Sequence, residues 1–110
     1  MMKKKPIPDE VRAKVIETVE QFNRRELSDY PLSYVVRFKG KFVYLDWVLH
    51  NRISPICRLK YDGEVSSLEF AIFKWSSETY DPNDWFFPGS EFVDGTVEGA
   101  MKAGIRAYYE

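Results

Sequence analysis

The chain has 110 residues, 45% hydrophobic and 30% charged, with a formal net charge of −1, which suits one domain with its own core and excludes a disordered chain. One cysteine excludes an internal disulfide, and one histidine with one cysteine cannot furnish a four-ligand zinc site. No apolar run approaches the roughly 18 residues of a membrane span, and no signal-peptide pattern is present, so a soluble cytoplasmic protein without membrane contact is expected.

Residues 1–7 read as a flexible basic tail of a single domain covering 1–110. Pro6 and Pro8 then lead into a helix starting near Asp9, in which Val11, Val15, Val19 and Phe22 recur at one face of a 3.6-residue period and Ile16 widens the stripe. Glu10 with Lys14 and Glu20 with Arg24 support a solvated opposite face.

Two hairpin signals follow. Around Gly40, Tyr34, Val36, Phe38, Val43, Leu45, Trp47 and Leu49 fall on one face whether the turn is Lys39-Gly40 or Gly40-Lys41, because the two registers have the same parity. That face is the expected core. Asp62-Gly63 between alternating apolar runs predicts a second tight hairpin, pairing Leu59 with Ser66 and Cys57 with Leu68. Cys57, Leu59, Leu68, Phe70 and Ile72 then extend the core face, and Ile56, Arg58, Lys60, Glu69, Ala71, Phe73 and Trp75 lie opposite, with Pro55 at a strand start or edge. Residues 76–93 form a long aromatic connection. A last helix spans Thr96 to Tyr109, with Asp94 or Thr96 as cap. Its Gly99, Ala100, Ala103 and Gly104 call for close approach of another backbone, from this chain's sheet or from a second chain. The expected fold is α+β: helix, four-stranded antiparallel meander, long loop, helix.

Helix, sheet and helix in this order resemble the double-stranded-RNA-binding family in outline. That family opens its second helix with a lysine cluster, where this chain has Asp94, Gly95, Thr96, Val97 and Glu98, and its strand count differs. The family is therefore set aside.

Chemistry-bearing motifs are sparse. Cys57 falls on the apolar face, which makes it a small hydrophobe rather than a nucleophile for His50. Asp81, Pro82, Asn83 and Asp84 follow turn chemistry and miss the spacing of a calcium loop. Gly95 and Gly99 lack the lysine of a phosphate loop. No catalytic residue, metal site or cofactor is assigned. Charge is uneven: residues 1–60 hold 13 basic and 7 acidic side chains, and residues 61–110 hold 3 and 10.

A non-catalytic binding or interaction module is the expected function, with Trp75, Tyr80, Trp85, Phe86 and Phe87 as contacts. If both helices cover the Trp47 face, then Phe42, Tyr44, Phe73 and Trp75 form an exposed patch, and a homodimer through the sheet or the small-residue helix is the simplest outcome without any other partner. One alternative is single-stranded nucleic acid held by Arg37, Tyr44, Arg58 and Phe73, disfavoured by the net charge. The other is a small enzyme using acidic residues of the 78–94 loop, which needs a concave pocket holding at least two of Glu78, Asp81, Asp84 and Glu91.

Overall fold

Helix α1 (Asp9–Glu26) buries Val15, Val19 and Phe22, the stripe the periodicity predicts. Ile16 stays 39% exposed, so the stripe is narrower than expected. No side chain caps α1; the Pro8 carbonyl accepts from the amides of Val11 and Arg12, both at 3.0 Å. The computed structural model describes residues 6–83 and 87–109. Ile7, placed in the flexible tail from sequence, is fully buried in the core, so the described chain is anchored from there on.

The sheet is antiparallel, in the order of the chain: β1 (Leu32–Lys39), β2 (Phe42–Leu49), β3 (Arg52–Lys60), β4 (Glu69–Lys74) and β5 (Thr79–Asp81). A 3-10 turn at Ser90–Phe92 leads to helix α2 (Val97–Tyr108). The α+β class and the flanking helices are as expected, but the sheet has five strands rather than four. The extra strand is a three-residue edge within the stretch read as loop, with Phe73 opposite Tyr80.

The first hairpin turns at Gly40-Lys41, with Lys39 opposite Phe42, and Gly40 adopts φ +59°, the left-handed region that favours glycine. His50 and Asn51 form the next two-residue turn, both left-handed at φ 51° and 63°. Histidine and asparagine tolerate this region less well than the Asn-Gly pair that primed turns prefer. Replacing His50 by Asn together with Asn51 by Gly is expected to stabilise the domain by about 0.5–1 kcal/mol, read as a higher urea midpoint with unchanged slope.

The second hairpin departs from expectation. Asp62-Gly63 is not a tight turn; residues 61–68 form the connection, and Leu59 pairs with Phe70 rather than Ser66. The Leu68 amide donates instead to the Gly95 carbonyl at 2.8 Å, which delays β4 by four residues. The shift is even, so Cys57, Leu59, Phe70 and Ile72 keep the core face. Ile56 does not keep its expected side. Leu45 faces Cys57 and Asp46 faces Pro55, leaving Ile56 in a bulge; it is buried with its Cγ2 toward Gly104 of α2. Pro55 lies inside β3 rather than at its start, beside the bulge and in the part of the strand that β4 does not pair with, so the edge placement holds locally and a missing N–H is tolerated.

Both helices pack on the Tyr34 and Trp47 face. Tyr34 donates from its hydroxyl to the Met101 carbonyl at 2.7 Å, and its ring stands edge-on to Phe22 and Trp47. Asn23 of α1 brackets the edge of β1: its amide donates to the Tyr34 carbonyl at 3.0 Å and its oxygen accepts from the Tyr34 amide at 2.9 Å. This blunts one point of an otherwise open edge. The small residues Gly99, Ala100, Ala103 and Gly104 are buried within the chain's own fold, so the close approach they signal comes from the chain itself.

The start of α2 carries a two-part cap. The Thr96 hydroxyl accepts from the Gly99 amide at 3.0 Å, while Asp94 accepts from the Thr96 hydroxyl and amide at 2.5 and 3.1 Å. The Thr96 hydroxyl, above all, lowers the pKa of Asp94 below the ordinary carboxylate value. A lowered folded-state pKa contributes stability above the unfolded value, lost as pH falls through the folded one. Thr96→Val is expected to cost about 1 kcal/mol at neutral pH and to flatten the acid side of the stability curve, measured by urea unfolding from about pH 7 down to about pH 3.

Candidate binding face

With both helices on one side, no helix among the described residues covers the other side of the sheet. Period-2 alternation places Arg37 and Val35 from β1, Phe42, Tyr44, Asp46 and Val48 from β2, Arg58 and Lys60 from β3, Phe73 from β4 and Tyr80 from β5 on this outer side. The strands bring them into one continuous ladder. The Arg37 guanidinium carbon lies 4.5 Å from the Tyr44 ring centroid, Tyr44 meets Tyr80 at 5.4 Å, and Tyr80 meets Phe73 at 5.1 Å. Arg58 sits over Phe42 at 4.4 Å and over Tyr80 at 5.2 Å. Phe73 closes against Trp75 at 4.9 Å and is itself buried, so it supports the surface rather than forming it.

Arg37, Tyr44, Arg58, Phe73, Trp75 and Tyr80 are thus assembled as one neighbourhood, Trp75 at the end of β4 with 53% of its surface exposed. Phe87 does not join them. It stacks on Phe70 at 5.7 Å and 20°, against the core side. Trp85 and Phe86 lie outside the described residues.

Sequence reasoning did not single out the centre of this face as a site. Asp46 is a charged residue only 2% exposed, and it is held by Arg37, whose Nε donates to Oδ2 at 2.6 Å and Nη2 to Oδ1 at 3.4 Å. The hydrogen bond that Arg37 donates to Asp46 raises the Arg37 pKa, keeping the guanidinium charged. Burial, reinforced by the Asp46 charge, pushes the Tyr80 hydroxyl pKa up, so the phenol stays neutral. Beside this pair runs an open groove of about 550 Å³ lined by Val35, Val48, Ile53, Pro55 and Tyr80. Ile53 is 68% exposed. The signal for it was available: Ile53 lies two residues before Pro55, on the same face.

The other candidates disperse. Cys57 is fully buried and burial pushes its thiol pKa up, while His50 is exposed in a turn. Among the described residues no group of three or more His, Cys, Asp or Glu side chains is placed to hold a metal ion. Glu78 occupies the β4–β5 turn, and Asp81 faces Lys74 at 3.9 Å and accepts from the Asn83 amide at 2.9 Å. Asp84 lies outside the described residues. Glu91 lines a different groove, between α1 and the start of α2, with Lys14, Asp94, Glu98 and Lys102. Among the described residues, no helix is long and apolar enough to cross a membrane. No family model, curated protein or solved structure matches the chain.

Proposed function

We propose that this domain is a non-catalytic binding module whose working surface is the outer face of the sheet. The observation that carries the reading is the exposure of Ile53 beside half-buried Val35 and Val48 around the groove, while both helices are spent on the opposite face. A contiguous apolar surface that the fold itself leaves uncovered marks an interaction site more often than not. Placing a photo-crosslinking side chain at position 53, and separately at exposed Glu17 on α1, tests it in cell extract. Capture at 53 and none at 17, competed away by unmodified protein, is expected; equal capture or none at either position would reject the reading.

A second copy is a poor occupant of the same face. Two-fold symmetry sets the cations of the face against their own excess, and the small residues of α2 are already buried. Light scattering at several concentrations is expected to give the mass of one chain. The mixture of arginines and rings sustains a second reading, single-stranded nucleic acid. It predicts retention on an oligonucleotide column at low salt and steep loss on adding salt.

A further inference from the structure

The outer face carries Arg37, Lys39, Arg58 and Lys60 against Asp46 and Glu69. Of these four cations only Arg37 has a carboxylate of the described residues within ion-pair distance, although Glu69 stands opposite Lys60 in register. Arg58 is the best placed of the three that remain. Clamped against Phe42 and Tyr80, its planar group is already ordered, so little rotamer freedom is left to lose on binding, and the edge of the fork can take a carboxylate through two N–H donors.

We infer that this face takes an acidic polypeptide segment, with carboxylates on Arg58, Lys39 and Lys60 and, further along the same segment, an aliphatic side chain in the groove beside Ile53. The inference rests on reading the face as the working surface, and adds the chemistry of its partner. The subsites run along the strands: Lys39 and Lys60 flank Phe42, Arg58 bridges Phe42 and Tyr80, and Tyr80 lines the groove, whose Val48 stands six residues along β2 from Phe42, about 20 Å, a length that an extended segment mixing Glu or Asp with Leu, Ile or Val can span. Nucleic acid fits less well, because bases stack on open ring faces and guanidinium groups already lie over Phe42, Tyr44 and Tyr80.

The test uses fluorescence anisotropy with three labelled probes: a glutamate-rich peptide carrying isolated leucines, the same peptide with glutamine for glutamate, and oligothymidylate. The acidic peptide is expected to bind, to weaken with salt, and to bind about tenfold more weakly to Arg58→Gln. Lys60→Gln, which disturbs no ring stack, should weaken it as well, and Glu69→Gln should tighten it. Equal affinity for the glutamine peptide, no effect of either cation variant, or tighter binding of oligothymidylate would overturn the inference. If the acidic peptide does not bind while position 53 still crosslinks, the partner chemistry is wrong and the binding face stands; if neither occurs, both are wrong.

Discussion

Replacing Gly104 by alanine is expected to destabilise the domain by about 1–2 kcal/mol, even though alanine is the better helix former by about 1 kcal/mol. A Cβ at this position would lie 2.4 Å from the Tyr34 hydroxyl oxygen and 2.6 Å from Ile56 Cγ2. Neither neighbour yields easily: both are buried, and the Tyr34 hydroxyl is tied to the Met101 carbonyl one turn earlier on the same helix. Relieving the overlap means moving α2 off the sheet or rotating Tyr34 out of contact with Phe22 and Trp47. Tyr34→Phe tests the cause. It removes one of the two clashing atoms, so the cost of Gly104→Ala should fall by about half in that background, a coupling that a urea double-mutant cycle resolves. Additive effects would mean that the glycine is kept for another reason. The same contact is part of what locks the helices to the Trp47 face, so that no helix among the described residues covers the opposite side of the sheet.

Much of this arrangement is legible before any coordinates. The two-residue periodicity of 33–49, with Gly40 at the turn, assigns Tyr34, Leu45 and Trp47 to one side and Arg37, Tyr44 and Asp46 to the other. The Arg37–Asp46 pair follows from that register, since Arg37 faces Tyr44, and Asp46 is the diagonal neighbour two residues on. Parity also protects the face assignment in the second hairpin against a register error of four residues. What is hidden depends on partners far away in the chain. The 61–68 connection exists because Leu68 bonds Gly95, and no local pattern announces that. Strand β5 is too short to show a period, and the turn before it puts Glu78 at φ 53°, where turn rules look for glycine or asparagine. The inward turn of Ile56 needs both the bulge beside Pro55 and the notch that Gly104 leaves in α2.

The Arg37–Asp46 pair should respond very unequally to loss of its two members. The Asp46 side chain is 3% exposed and that of Arg37 is 52% exposed, so the desolvation cost falls almost wholly on the carboxylate. Arg37→Met strands a buried charge, and is expected to cost about 2–3 kcal/mol, the lower end for broken buried pairs because the face is open to water on one side. Asp46→Leu leaves only a guanidinium that can turn to solvent. It also places an aliphatic side chain between Val35 and Pro55, its neighbours across the strands, and is expected to change stability by less than about 1 kcal/mol. The double variant should sit close to Asp46→Leu, recovering most of the loss. Equal losses from the two single changes would mean that the pair acts through mutual attraction rather than through relief of a buried carboxylate. The stability-neutral change has a second use. With Asp46 gone, Arg37 joins the unpaired cations, and an acidic peptide should bind the Asp46→Leu face more tightly than the native one.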